Sequence, residues 1–278
     1  MRTVKFVSGS DKKTFILNQD YKLAIKEMNP WQSKWNYESI EEQFGITIAS
    51  FKKEPITLAL SLKFRGSENQ ISENLNGFFE ACEKDIINKT AGRLYVDDEY
   101  LSGYFLERET TPSETFYGYQ QDLEFFAPYP FWTQEISRSF PASQEIVTDS
   151  GLNYDYNYKY DYTLEKMGVR VWDNEHYAPS EFKMTIFGAV ANPQITIAGH
   201  NYQVNTTLLA GDYLTIDSKA KTIIKTQNNG DQSNMFKYRN TAESVFEPIP
   251  AGANKINWSG LFGFDLTLYL ERSEPKWI

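Results

Sequence analysis

Apolar and polar residues alternate along much of the chain, and this alternation predicts β-strands. Even positions from Ile56 to Phe64 are apolar, whereas the odd positions between them are polar or small. Ile46 and Ile48 continue the same pattern on the N-terminal side. A period of two is typical of an antiparallel strand with one buried face. We therefore expect half-buried strands across 44–66, interrupted by a turn at 51–55.

Residues 68–91 follow a helical period instead. Apolar residues recur there at spacings of three and four, namely Ile71, Leu75, Phe78, Phe79, Cys82 and Ile86. This spacing predicts one amphipathic helix. Ser72 is a candidate for its start and Gly92 for its end. We expect the helix to pack on the N-terminal sheet.

The second half of the chain predicts further short strands, spaced by 8–12 residues as in a sandwich or barrel. A proline-rich motif separates the halves, and its residues are Ala127, Pro128, Pro130, Phe131 and Trp132. Two prolines in this motif deny ladder hydrogen bonds and stiffen the chain. We therefore predict a mainly β protein with two domains, 1–135 and 136–278. The helix near 68–91 is expected to lie in the N-terminal domain.

Composition supports the β class and excludes several functions. Aromatic residues make up 15% of the chain, and such residues favour pleated surfaces. The net charge of −9 disfavours specific binding to nucleic acid or to an anionic membrane. The N-terminal residues lack the apolar core of a signal peptide, and no apolar run is long enough to span a membrane. We expect synthesis in a cytoplasm without export.

Candidate catalytic residues are few and poorly grouped. His176 and His200 are the two histidines, and neither lies in a recognisable nucleophile motif. Cys82 falls on the apolar face of the predicted helix, which favours a buried, inert thiol over a reactive one.

Carboxylates offer no better candidates for catalysis. The acidic cluster Asp97, Asp98 and Glu99 fits a hairpin turn better than a glycosidase pair. Asp212 and Asp217 flank a strand, but their spacing matches no metal motif. We expect no enzyme activity, cofactor or metal.

The segment 154–162 is unusually rich in tyrosine. As a strand it would align five phenol rings on one face, those of Tyr154, Tyr156, Tyr158, Tyr160 and Tyr162. Tyrosine provides large amphipathic contact area at low entropic cost. Three uses remain open: packing on the protein's own core, a subunit or domain interface, and a sugar-binding platform to which Trp172 could contribute.

Several motifs, taken in order, resemble the distal tail (Dit-type) proteins of long-tailed phages and prophages of Gram-positive bacteria. The motifs are FFAPYPFW at 125–132, the tyrosine run, FGAVANPQITIAGHNYQV, LLAGDYLTIDSKAKTI, IPAGANKINWSG and ERSEPKW. Each motif is short, and their shared order across the chain makes the resemblance specific.

The resemblance implies a structural protein of the virion tail tip. Such proteins form a homohexameric ring, single or stacked, around a channel through which DNA leaves. The ring joins the tail tube protein to the tip protein, often a tail-associated lysin, and in some phages to receptor-binding proteins. The resemblance further implies that the N-terminal domain, which builds the ring, is a β-sandwich or barrel with one helix. For the C-terminal domain it implies a galectin-like β-sandwich.

Two questions remain open at the level of sequence. Residues 30–43 are either an arm lent to a neighbouring subunit or a self-packed loop. The alternative function is a non-catalytic carbohydrate-binding module that recognises host cell-wall sugars through the C-terminal sandwich. Fold alone does not decide between them.

Overall fold

The computed structural model describes residues 2–18, 23–112, 118–142 and 168–277. The chain divides into two compact units. Unit 1 comprises residues 1–134 together with 271–278, and unit 2 comprises residues 135–270. The boundary therefore follows two residues after Trp132, and the C-terminal residues belong with the N-terminal unit.

Strands account for 55% of the described residues, which confirms the mainly β class. The strands of unit 1 are β1 (Val4–Val7), β2 (Thr14–Ile16), β3 (Leu23–Met28), β4 (Asn36–Glu42), β5 (Gly45–Lys52), β6 (Ile56–Arg65), β7 (Gly92–Val96), β8 (Glu99–Pro112) and β9 (Gly118–Ala127). Strand β10 (Trp132–Phe140) then carries the chain into unit 2.

The strands of unit 2 are β11 (Gly168–Asn174), β12 (Glu181–Phe187), β13 (Val190–Ala191), β14 (Gln194–Ile197), β15 (His200–Gln203), β16 (Thr207–Leu208), β17 (Tyr213–Asp217), β18 (Thr222–Thr226), β19 (Gln232–Asn234) and β20 (Gly252–Trp258). A short 3₁₀ turn lies at Phe236–Tyr238. Strand β21 (Phe264–Arg272) returns the chain to unit 1.

Unit 1 packs two groups of antiparallel strands and one helix around a shared core. One group has the order β2-β1-β7-β8, and the other has β3-β6-β9-β8, so that β8 belongs to both. The alternation along β6 places its apolar side chains on one buried face, namely those of Leu58, Leu60, Leu62 and Phe64. The alternation predicted for 56–64 is therefore confirmed.

The helix α1 spans Glu68–Ile87 and is the single α-helix among the described residues. Its N-cap is Ser67, five residues before the predicted start at Ser72, and Gln70 Oε1 accepts a hydrogen bond from the Ser67 N–H at 3.3 Å. Its end also precedes the predicted one, since Gly92 already opens β7. A Cβ at Gly92 would lie 2.5 Å from the Phe6 ring, so close packing requires glycine there.

Unit 2 is a sandwich of two antiparallel sheets. One sheet runs β19-β18-β17-β12-β21 and the other β11-β20-β14-β15. Their inward side chains form one core, as when Met184 and Leu266 of the first sheet join Ile195 and Ile256 of the second. The two-sheet core agrees with the short, regularly spaced strands of the sequence.

Candidate functional site

The most unusual surface of unit 1 is the hairpin formed by β4 and β5, which we call the arm. These two strands pair with each other and with no other strand of the described residues. Residues 43–44 form the turn, and Gly45 follows it with φ of +97°, a value that favours glycine. The register shifts between Glu38 and Ser39 of β4, where Ala49 of the partner strand is skipped, which marks a bulge in β5.

The arm exposes large apolar side chains on both strands. The exposed side chains, with their fractional exposures, are Trp35 (50%), Tyr37 (57%), Ile40 (60%), Phe44 (90%), Ile46 (53%), Ile48 (47%) and Phe51 (62%). At about 200 Å² per large side chain, they present on the order of 800 Å² of apolar-residue surface. A monomer's largest apolar patch is typically about 300–600 Å² in total, so this one hairpin exposes an unusual amount of apolar surface.

The prediction that Ile46 and Ile48 lie on a buried strand face is therefore wrong. Both follow the strand period, yet their strand has no layer against it within the described residues. The stretch 30–43, considered as a long loop, is likewise largely strand, since β4 occupies Asn36–Glu42. The polar groups of the arm pair internally: Lys52 contacts Glu38, and Thr47 donates to Glu42. The Lys52 contact, with that of Ser50, holds the pKa of Glu38 below its usual value.

A second feature of unit 1 is an acidic sheet face on β3, β6, β9 and β8. Five carboxylates line a shallow groove of about 600 Å³ there: Glu27, Glu107, Glu109, Asp122 and Glu124. The register sets Glu107 opposite Glu124 and Glu109 opposite Asp122. Like charges directly opposite each other destabilise a sheet. Repulsion between these carboxylates therefore lowers the stability of the sheet, and neutral residues at the same positions would avoid that repulsion.

The proline-rich motif lies where the arm meets the body of unit 1. Ala127 and Trp132 are fully buried in the core, whereas Pro128 is exposed. Phe131 faces Trp35 with ring centroids 6.1 Å apart. The Pro130 carbonyl accepts a hydrogen bond from Lys53 Nζ at 3.0 Å. The motif therefore packs against both ends of the arm.

The titratable candidates from the sequence have structural partners. His176 Nδ1 lies 3.1 Å from the Ala178 carbonyl, and His200 Nε2 lies 2.8 Å from the Ser244 carbonyl. Cys82 is buried in the core, and burial raises the pKa of its thiol to about 12. Within the described ranges, no group of three or more histidine, cysteine or acidic side chains is placed to hold a metal.

The acidic candidates also occupy structural positions. Asp97 accepts from the Thr3 N–H at 2.8 Å, and Glu99 accepts from the Lys276 N–H at 2.8 Å. Asp212 is bound by Lys225 at 3.0 Å, while Asp217 accepts from the Ala220 N–H at 2.9 Å. Hydrogen bonds from the Leu209 N–H and from Lys225 lower the pKa of Asp212. These partners hold turns and strand ends rather than a cleft.

The tyrosine run Tyr154–Tyr162 lies outside the described residues, so the three uses considered for it stay open. Trp172, nominated with it, is half-buried on β11 and packs against the core of unit 2. Its ring centroid lies 6.2 Å from that of Phe140. Trp172 therefore contributes to the packing of unit 2.

Comparison with solved structures identifies phage proteins of the same fold. The SPP1 Dit protein, described as a paradigm of the hub adsorption apparatus in phages that infect Gram-positive bacteria, matches with a TM-score of 0.59 and 7% identity. The match covers 97% of this chain and 99% of that one. The fold is that of a phage hub protein.

A chain of the phage P2 baseplate in its activated conformation with calcium matches with a TM-score of 0.67 and 12% identity. It covers 99% of this chain and 100% of the neighbour, and the strontium form matches equally. No protein-family model and no curated protein matches the sequence. At these identities the comparisons establish fold, and the resemblance read from the sequence motifs is confirmed at that level.

A search of the described residues for a helix that is long and apolar enough to cross a membrane finds none.

Proposed function

We propose that this protein is a non-enzymatic structural component of a phage or prophage tail tip. Six copies would form a ring that joins the tail tube protein to the tip proteins and leaves a channel for DNA. The observation that carries the proposal is the arm, an apolar hairpin with no covering layer among the described residues. The similarity of fold to the SPP1 Dit and phage P2 baseplate proteins supports it.

The size of the apolar surface supports a second copy as the occupant. The arm offers on the order of 800 Å², and each partner of a standard interface contributes about 800 Å². An arm that docks on a different surface of the next copy makes a heterologous contact, and such contacts close into rings when the rotation permits. Arm exchange is the alternative that we adopt over a self-packed loop.

The other parts of the proposal follow from the fold and the resemblance. Unit 1 would build the ring and unit 2, as a galectin-like sandwich, would lie outside it. The partners would be the tail tube protein, a tail-associated lysin at the tip and, in some phages, receptor-binding proteins. Assembly would take place in the bacterial cytoplasm, and the mature protein would lie at the virion tail tip.

The acidic sheet face suggests how a channel could pass DNA. Carboxylates repel phosphates over roughly a Debye length, about 8 Å at physiological salt. A wall carrying Glu107, Glu109, Asp122 and Glu124 would let a duplex slide without adhering. We propose this face as the channel lining.

The test is the native mass of the protein across a concentration series, measured by native mass spectrometry. We expect a species at six or twelve times 32.2 kDa. Replacing Tyr37, Phe44 and Phe51 of the arm with serine should abolish the oligomer and leave the circular dichroism spectrum unchanged. Replacing the similarly exposed Leu209 and Leu261 of unit 2 is the control and should leave the ring intact.

Either of two results would count against the proposal. A wild-type protein that is monomeric at every concentration would argue against a self-assembling ring. An arm variant that still forms the hexamer would argue against the arm as its interface.

A further inference from the structure

The C-terminal segment of the chain lies across the root of the arm. On the incoming side of the hairpin, Trp31 stacks on Trp277 with ring centroids 4.8 Å apart and planes 24° apart. The guanidinium of Arg2 lies 4.7 Å from the centroid of the same Trp31 ring. Trp31 therefore connects the arm to both ends of the described chain.

On the outgoing side, Lys53 makes the corresponding contacts. Its Nζ lies 3.5 Å from the carbonyl oxygen of Ser273 and 4.7 Å from the ring centroid of Phe131. Burial lowers the pKa of Lys53, as expected for an ammonium group removed from water. The segment 273–277 thus touches both chain segments that connect the arm to unit 1.

The C-terminal segment is itself fixed to the body of unit 1. The backbone N–H of Lys276 donates to Glu99 Oε2 at 2.8 Å, and Glu99 is only 5% exposed. Lys276 Nζ lies 3.3 Å from Gln134 Oε1. Just before the segment, the Tyr129 hydroxyl donates to Glu271 at 2.6 Å. These contacts anchor the segment to unit 1 at Lys276 and, just before it, at Glu271.

We propose that residues 273–277, which we call the strap, fix the direction in which the arm leaves unit 1 and so promote its docking on a second copy. A two-stranded hairpin is only marginally ordered by itself. An arm held at its root loses less conformational freedom on docking, and such preorganisation raises affinity. The effect on docking rests on the proposed function, whereas the effect on the arm root does not.

The first test measures the order of the arm root in the monomer by amide hydrogen exchange. Trp277 keeps 74% of its surface exposed, so Trp277→Ala should remove the stack and leave the core intact. We expect exchange at the paired residues where the arm begins and ends, 36–38 and 50–52, to quicken roughly tenfold, as for a local opening that has lost one stabilising contact. Unchanged exchange at these residues would overturn the proposal.

Tyr177→Ala is the matched control, since Tyr177 is 71% exposed and its ring contacts that of His176, tilted by 37°, with centroids 4.2 Å apart in unit 2. It should leave exchange at the arm root unaltered. A double variant, Trp31→Ala with Trp277→Ala, should exchange no faster than the faster single variant, because the two side chains act through one contact. Fully additive effects would show that the stack is not what holds the root.

The second test measures the concentration at which rings form. For Trp277→Ala and for a chain shortened to residues 1–272, we expect the midpoint to rise at least about tenfold. Rings that form at the wild-type midpoint, despite faster exchange at the root, would refute the role in docking. A wild-type protein that forms no ring would contradict the proposed function alone, because the exchange result still decides whether the strap orders the arm.

Discussion

Cys82 shows how strongly the surroundings of one residue decide its chemistry. The thiol lies on the buried face of α1, packed into the core of unit 1. Burial penalises the thiolate and raises the pKa from 9.0 to about 12, outweighing the opposing attraction of Arg108. Since the thiolate is the reactive form, a protonated thiol is a poor nucleophile.

We therefore predict that native Cys82 resists thiol reagents. At pH 8, Ellman's reagent should label it at a small fraction of the rate seen in 6–8 M urea, roughly a hundredfold slower or more. A spectrophotometric time course in both conditions is the measurement. Rapid labelling of the native protein would show that the site opens or that its thiol ionises readily.

The same shift sets a pH dependence of stability. Because the folded pKa lies above the unfolded one, the contribution of Cys82 is fully present below pH 9 and declines as pH rises towards 12. The sign follows from the unfolded thiol, which ionises first and thereby stabilises the unfolded chain.

At the scale of elements, β5 and β6 carry similar alternation and have opposite surroundings. Leu62 of β6 is fully buried, whereas Ile48 of β5 is 47% exposed. Strand β6 is covered by β3 and β9 at its edges and by α1 and other core side chains on its apolar face. The difference lies in what covers each strand and not in the strand's own sequence.

Alanine substitutions should separate the two strands. Leu62→Ala should lower the free energy of unfolding by about 2–5 kcal/mol, because it leaves a cavity in a closed core. Ile48→Ala should change the free energy of unfolding of the monomer by less than about 0.5 kcal/mol. Urea titrations of both variants provide the comparison, and equal losses would mean that the arm is buried in the monomer.

Local periodicity explains which elements the sequence could predict. The alternation in 56–64 and the three–four spacing in 68–91 each report one element, so β6 and α1 were predictable. The predicted start at Ser72 is wrong because the apolar period alone does not locate a helix cap, whereas Ser67 and Gln70 form the S-x-x-Q signal of a capping box. That signal was available in the sequence.

The candidate sites depend on information that a single strand does not contain. The exposure of Ile46 follows from the lack of a covering layer among the described residues, which its own alternation cannot report. The acidic face arises because β6 pairs with both β3 and β9, which brings Glu27 into one groove with Glu107 and Asp122 of β8 and β9. The stacking of Trp277 on Trp31 similarly joins opposite ends of the chain.

At the scale of the whole molecule, the net charge of −9 gains meaning from where the carboxylates lie. The acidic sheet face concentrates five of them in one groove, with two pairs directly opposed. If this face lines the channel of a ring, the wild-type ring should not bind duplex DNA at about 0.15 M salt. Fluorescence anisotropy with labelled duplex is the first measurement.

Charge reversal then locates the face within the ring. A ring carrying Glu107→Lys, Glu109→Lys and Glu124→Lys should bind linear duplex in a salt-dependent manner, because the lysines replace counterions on the phosphates. It should bind closed circular DNA far more weakly, since a closed circle has no end to enter the channel. The control reverses three exposed helix residues, Glu68, Glu73 and Glu80, which gives the same net charge. If the acidic-face variant binds circular and linear DNA equally, the face lies on the outside of the ring and another surface must line the channel.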